Sequence, residues 1–454
     1  MLGALAVGIG FDVAAHNGLV TLAGTALATT TAVCLLASGR LHSRLSRALI
    51  ALGPILSIAL MSRASEWVTI PVVCAITVSF LLAVSFADSN SFASTFPMLG
   101  GRFSLVMGHL AFAPGMLTRD PDEIRHDSAT RSRVLAVARG LALAIPIVVV
   151  IGALLGAADP VFESWFDPPR LLQNLVLVLI GAWVLLGLAR AAAAKRPTPV
   201  LGGAPTLGTV EVVSVLGALS AVYAAFVISQ VVAVAGGAKH VLQTTGLTYA
   251  EYARSGFFQL LAAASITLIV LLSVRACADR RRLSVLVGSE VTIVLTLAVV
   301  AVAIRRLDLY ESAYGLTLLR LASTTTAVWI GVVFLVLAVA VARRASSAQW
   351  FGPAVVLSGV LFVGMWAAAN PADVVARVNV RRAAHGSALD IGSSFQLAAD
   401  GVPALVEGSH RLSPQDQQLL RLSLCSREPR ERRGAAFNHA EATAERVLEN
   451  YCDR

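Results

Sequence analysis

Eleven apolar runs, at approximately residues 2–15, 18–37, 48–61, 67–86, 134–157, 171–190, 209–235, 256–274, 284–303, 314–341 and 351–369, are separated by short polar stretches. Most approach the roughly 20 residues that a helix needs to cross a bilayer core. The pattern predicts an all-α fold: a polytopic transmembrane helix bundle over residues 1–369, followed by a small water-facing helical domain over 370–454. The shortest runs are 2–15 and 48–61, and the first carries Asp12, so an oblique or re-entrant helix is the alternative there. Pro146 lies inside a run, where it kinks a helix without ending it.

The segments between and after the runs differ in kind. Residues 87–133 hold the apolar stretch Phe103 to Leu117, broken by Gly108 and Pro114, which reads as an interfacial helix or as a loop packed under the bundle. Asp120, Asp122, Glu123 and Asp127 alternate with Arg119, Arg125, Arg131 and Arg133, the mixture of a solvated loop. Beyond Pro371 the composition turns polar, with eleven acidic and eleven basic residues. There Ser413-Pro414-Gln415-Asp416 is a helix start, and Asn438 caps a last helix towards Tyr451.

Composition supports the same class. Hydrophobic residues make up 56% and charged residues 14% of the chain, with a mean hydropathy of +0.75. No water-soluble interior holds so much apolar surface. The net charge of +9 is spread over separate loops instead of one stripe, which argues against a nucleic-acid partner. One set of loops carries 17 basic residues: Arg40, Arg44, Arg47, Arg102, Arg119, Arg125, Arg131, Arg133, Arg190, Lys195, Arg196, Arg275, Arg280, Arg281, Arg282, Arg343 and Arg344. The alternate set carries six: Arg63, Arg170, Lys239, Arg254, Arg305 and Arg306. Because Lys and Arg are retained on the cytoplasmic side, this predicts a cell-membrane protein with its amino terminus inside and carboxy terminus outside. Attraction to anionic lipid headgroups, about 1 kcal/mol per basic residue, is the functional alternative for the same residues.

Cysteines and motifs narrow the chemistry. Cys34 and Cys74 fall in spans, Cys277 in an internal loop, and Cys425 and Cys452 in the tail assigned to the oxidising exterior. The last two bracket a helical hairpin, and a disulfide there is expected, with two unpaired thiols as the alternative. Lys195 and Lys239 are the only lysines, so no phosphate loop of the GxxxxGK type exists, and HExxH, CxxC and GxSxG are absent too. The eight His residues show no metal-ligand spacing, and no motif calls for a cofactor. Gly152 and Gly156 form a GxxxG, a weak sign of close helix packing.

Charges at or within spans are costly and mark candidate sites. Arg320 reads as two turns inside the tenth run, with Tyr310, Tyr314 and Thr317 on one face above it, and with Glu290 or Glu311 as its partner. A second polar cluster comprises Tyr249, Glu251, Tyr252 and Arg254, and a third comprises Arg377, Asn379, Arg381 and Arg382. Ordinary interfacial anchoring accounts for aromatic residues at such a boundary. If the helices are neighbours, however, the three clusters form one Tyr- and Arg-rich cavity open to the outside, suited to a carboxylate or phosphate.

The segments VLGALSAVYAAFVISQ from Val215, GG at Gly236 and Gly237, LTYAEYARSGFFQLL from Leu247, LYESAYGLTLLRL from Leu309, NPADVVARVNVRR from Asn370 and LDIGSSFQLAADGVPAL from Leu389 occur in that order. They resemble the bacterial multi-pass membrane proteins of the domain of unknown function numbered forty-one seventy-three, related to forty-one fifty-three. The resemblance covers about the last 240 residues and implies a helical bundle with an ordered tail. Gly392-Ser393-Ser394-Phe395 stands where the family pattern has an aromatic-Leu pair, which leaves the role of Asp390 open.

Three function classes follow. A transporter or lipid- and anion-handling protein would use the external cavity with Arg320 as the contact to an anionic lipid or small anionic solute. A membrane scaffold or sensor would use the tail. An enzyme acting on a lipid-linked substrate would need an acid or base, for which Glu251, Glu311, Asp390 and Asp400 are available. The cavity favours the first class, although the sequence holds no motif that names a substrate.

Overall fold

A computed structural model describes residues 2–39, 41–87, 170–193, 209–245, 257–277, 282–343, 350–386, 397–426 and 434–453. All regular elements among them are helical. They are α1 (Leu2–Asn17), α2 (Leu22–Ala37), α3 (Arg44–Ser62), α4 (Glu66–Ser85), α5 (Arg170–Ala193), α6 (Thr209–Thr245), α7 (Phe257–Cys277), α8 (Leu283–Tyr314), α9 (Leu318–Ala342), α10 (Phe351–Ala369), α11 (Pro371–Ala384), α12 (Val402–Ser409), α13 (Pro414–Cys425) and α14 (His439–Cys452), with short 3-10 turns at Ala399–Gly401 and Gly434–Ala436. The expected run at 134–157, with Pro146, Gly152 and Gly156, and the segment Phe103 to Leu117 lie outside the described residues.

Length and apolarity make α3, α4, α8 and α9 candidate membrane spans, α8 over Leu283–Ser312. A fifth arises if α10 and α11, bent by 51° where they meet at Asn370, form one broken span. The apolar parts of α2, α5, α6 and α7 are shorter. The observed helices differ from the sequence reading chiefly at one place. The run expected at 314–341 begins at Leu318, and α8 extends to Tyr314, because Gly315 (φ +83°) stops one helix and Thr317 caps the next.

Two large cores hold the bundle among the described residues. In the first, α1 packs on α2 and α5, α2 on α3, and α3 on α4, which also meets α10. Gly181 of α5 lets α1 come so close that an added Cβ would stand 2.9 Å from the Gly8 backbone. In the second, α6, α7, α8 and α9 surround buried Phe334, Ile293 and Leu216. Hydroxyls tie these helices across their seams: Ser220 to Thr292 at 3.0 Å, and Tyr223 to Thr267 at 2.5 Å.

A third core is formed by α11, α12, α13 and α14, with Leu316 and Leu318 from the α8–α9 turn inserted into it. This C-terminal cap sits on one end of the bundle. Leu22 N donates to Phe437 O at 2.9 Å, and Asn438 reaches the carbonyls of Val20, Leu60 and Arg63. The opposite end carries Arg44, Arg47, Arg275, Arg282 and Arg343 at helix ends. There His42 N and Ser43 N meet Ala87 O, and Arg275 Nη1 reaches Ala340 O.

A proline explains one contact between bundle helices at the cap end. Pro71 in α4 has no N–H to give Trp67 O, four residues earlier. Trp366 Nε1 of α10 donates to that carbonyl at 2.7 Å instead, so a backbone acceptor that would be orphaned in a dry environment is satisfied by a neighbouring helix.

Candidate functional site

The break between α8 and α9 builds the polar centre. Thr317 Oγ1 accepts from Arg320 N at 3.3 Å, which makes Thr317 the N-cap and puts Arg320 in the first turn of α9. Arg320 is therefore not two turns deep, and Tyr310 and Tyr314 belong to the preceding helix. They still meet Arg320. Its Cζ lies 4.0 Å from the Tyr310 ring centroid and 6.0 Å from that of Tyr314, the two rings packing edge-on at 5.1 Å. Such cation–π contacts contribute about 0.5–2 kcal/mol depending on desolvation. Arg320 Nη1 also donates to Gly315 O.

The proposed Glu290–Arg320 pair is not formed. Glu290 lies 20 residues before Tyr310 on the same helix, α8, about 30 Å away at 1.5 Å per residue. Glu290 Oε1 is buried without a hydrogen-bond partner. Glu311 Oε1 accepts from Thr324 Oγ1 at 3.2 Å, a contact made across the helix break.

Asn379 and Arg382, both on α11, lock this break from the cap side. Asn379 Nδ2 donates to Leu316 O at 2.7 Å, and its Oδ1 accepts from Leu316 N at 3.0 Å, so one amide satisfies both backbone groups of a residue between helices. Arg382 Nη1 and Nη2 donate to Glu311 O and Ser312 O, each at 3.0 Å. A guanidinium there completes the open carbonyls of α8 and complements the negative end of its dipole. Both side chains thus act as a latch, their donors given to backbone.

Asp400 belongs to a second place. Its Oδ2 accepts from Ala64 N and Ser65 N, both at 2.7 Å, at the start of α4, whose own N-cap residue Ser65 makes no side-chain cap bond. The cap domain therefore supplies the N-cap of a bundle helix. Arg63 Nη1 stands 4.0 Å from Asp400 Oδ1, and its Nε and Nη2 hold Ala367 O and Ala368 O. Burial pushes the Asp400 carboxyl above its ordinary range, opposed by the two backbone N–H groups and Arg63. Asp400 O accepts from Asn370 Nδ2 at the start of α11. Asn379 and Arg382 lie nine and twelve residues further along, about 14–18 Å by helical rise.

Of the candidate residues, Tyr310, Glu311, Tyr314, Arg320, Asn379 and Arg382 are brought together, while Asp400 stands apart with Arg63. Tyr249, Glu251, Tyr252, Arg254 and Asp390 lie outside the described residues. Arg63 entered the sequence reading only as one basic loop residue, and Thr324 not at all. Arg377 pairs with Asp373 at 2.8 Å and Glu407 at 3.1 Å on the cap surface. Cys425 and Cys452 are joined by a disulfide with alpha carbons 5.8 Å apart, tying α13 to α14. No group of three potential metal ligands occurs among the described residues.

Among curated proteins and solved structures, none matches this chain. A family model described as "Domain of unknown function (DUF4153)" matches residues 48–408, which contain most of the bundle, the α8–α9 break with its α11 latch, and Asp400. The chain belongs to that family.

Proposed function

We propose that this protein handles anionic lipid or a small anionic solute at the cap end of its bundle, with Arg320 as the contact. One observation carries the reading. The Arg320 guanidinium is oriented by two aromatic rings and gives a hydrogen bond to Gly315 O, and no other acceptor among the described residues takes one from it. Glu311 feels the Arg320 charge but gives its Oε1 to Thr324 and makes no ion pair with it, so the guanidinium keeps donors suited to a carboxylate or phosphate. Asp400 gives its Oδ2 to two backbone N–H groups and is buried with Oδ1 facing Arg63, which places it poorly for acid or base work on a substrate and weakens the enzyme reading.

The wider setting is part of the proposal. About 11 spans cross a bacterial plasma membrane, with the amino terminus cytoplasmic and residues 370–454 outside. The helix-end arginines opposite the cap and a disulfide within the cap both support this orientation. A relation to the family numbered forty-one seventy-three is proposed on the ordered segments quoted above. The scaffold or sensor reading draws on exposed Leu419 and Leu422 of α13.

The test is retention of anionic against zwitterionic phospholipid by purified protein, read by native mass spectrometry. Arg320→Gln should lower the preference roughly tenfold, the equivalent of about 1.4 kcal/mol, and Arg320→Lys should recover only part of it, because an ammonium lacks the fork. An unchanged preference in folded Arg320→Gln would remove the basis of the reading.

A further inference from the structure

We propose that the cleft between α1, α2, α4 and α5 is a binding site for one acyl chain of a bilayer lipid, entered sideways from the membrane. It is a site separate from Arg320 and rests on other residues. The cleft has a volume of about 350 Å³ and is walled by side chains including Phe11, Leu27, Ala28, Phe80, Leu81 and Leu188. Small-molecule pockets run from roughly 300 to 1,000 Å³. From Val73 to Leu81 along α4 it extends eight residues, about 12 Å.

The occupant follows from what the walls offer and where the mouth opens. Thr31 and Thr77 are the hydroxyl-bearing residues of the lining. Thr31 Oγ1 donates to Leu27 O at 2.8 Å and Thr77 Oγ1 to Val73 O at 2.9 Å, so both O–H groups are turned onto their own helices. Water finds too few partners in such a space to be held, and a polar solute finds no recognition. The mouth offers no more: Leu19, Val73 and Val184 line the cleft and remain 46%, 36% and 43% exposed, and exposed Thr77 beside them keeps its hydroxyl on Val73 O. Ile9, Val33, Ile70 and Leu175 are exposed on the outer faces of the same four helices. Around a membrane helix, surface of that kind is bathed in hydrocarbon, so the medium at the mouth is lipid tails. Transfer from hydrocarbon to hydrocarbon gains no hydrophobic free energy. The gain is the dispersion contact that the lining forfeits when the cleft is empty.

The experiment uses the full chain in lipid nanodiscs containing phosphatidylcholine with a photoreactive diazirine in its acyl chain, with labelled peptides mapped by mass spectrometry. Label should concentrate on Leu19, Thr31, Val73, Thr77 and Leu188 over the lipid-facing controls Ile55 and Leu175. Ala28→Phe, which fills the cleft, should cut that labelling roughly tenfold. Val73→Trp, which narrows the mouth without entering the core, should also reduce it and serves where Ala28→Phe fails to fold. Arg320→Gln should leave cleft labelling unchanged, so that this site and the anion contact are judged separately. Cleft residues labelled no more than Ile55 and Leu175, as when another part of the chain covers the cleft, would overturn the proposal. Filling variants that label like the wild type would do the same.

Discussion

Asn438 offers the sharpest test of how the cap is held. It is 1% exposed, and its Nδ2 donates to Val20 O at 3.0 Å, Leu60 O at 3.2 Å and Arg63 O at 2.9 Å. Its Oδ1 accepts from Ala440 N at 3.0 Å and Glu441 N at 3.3 Å, the N-cap of α14. Replacing the residue with Ala removes a cap, about 1 kcal/mol. It also removes two N–H donors from three buried or half-buried carbonyls, about 1 kcal/mol per lost hydrogen bond. The sum is about 3 kcal/mol. Asn438→Asp separates the two roles. As a cap alone, an aspartate is as good as asparagine and gains about 0.3–1 kcal/mol from the helix dipole. As a pin, it is an acceptor turned against three acceptors, and it should destabilise at least as much as Ala. Hydrogen exchange of α14 in purified protein reads the local opening free energy directly. Asn450→Asp, at an exposed position where Nδ2 reaches only Arg446 O, is the control. Protection of α14 in Asn438→Asp within about 0.5 kcal/mol of wild type, the range of ordinary surface changes, would refute the pin.

Gly315 has φ +83° and ψ 175°, a region nearly restricted to glycine, so Gly315→Ala should cost about 1–3 kcal/mol and loosen the α8–α9 turn; an unchanged thermal midpoint would contradict this. The ordinary Asp400 carboxyl titrates near 3.8 and the folded one higher, so between those values the native state holds the extra proton. Cap stability should therefore fall as pH rises through that window, and Asp400→Asn should flatten the dependence; a midpoint that climbs with pH there would reverse the sign argument. Removing the disulfide with Cys425→Ser releases a closure between residues 27 apart, about 3.5 kcal/mol by chain entropy. Protease should then reach α13 and α14 sooner while the bundle stays inserted, and equal cleavage rates would show that the bridge constrains nothing.

Helices with a long apolar period were legible because hydrophobic runs report burial in lipid or core directly. The Ser413 cap was legible too: Ser413 Oγ accepts from Asp416 N at 3.1 Å with Pro414 at the first position. The α8–α9 break was readable in principle from Gly315 followed by Thr317, but the surrounding apolar run outweighed two local signals. The break puts Arg320 in the first turn of a helix instead of two turns inside a run, so of the two carboxylates read as its partners Glu290 is out of reach and Glu311 is the one its charge acts on. Tyr310 and Tyr314 were still grouped with Arg320, since a short turn keeps flanking residues close whichever helix they join. The roles of Asn379, Arg382 and Asp400 were out of reach, because each side chain serves backbone groups at least 63 residues away.

These long-range contacts share one chemical purpose. A helix leaves its first N–H groups and last C=O groups open, and a proline opens one more carbonyl four residues back. At the cap end, Asp400 closes the N–H groups of Ala64 and Ser65, Arg382 the carbonyls of Glu311 and Ser312, and Trp366 the carbonyl opposite Pro71. Asn438 closes carbonyls at Val20, Leu60 and Arg63. At a membrane boundary such groups find little water, and each one left open costs about 1–3 kcal/mol. The cap is thus the complement of the helix ends beneath it: on the face turned to the bundle its polar side chains serve backbone, while side-chain pairs such as Arg377 with Asp373 and Glu407 lie on its outer surface. Arg320 departs from that rule. Its neighbours Asn379 and Arg382 give both of their amide or guanidinium faces to helix ends, whereas Arg320 gives one hydrogen bond and stacks on two rings. Its guanidinium thus serves the backbone less than theirs do, and Glu311 across the helix break is the carboxylate that its charge acts on.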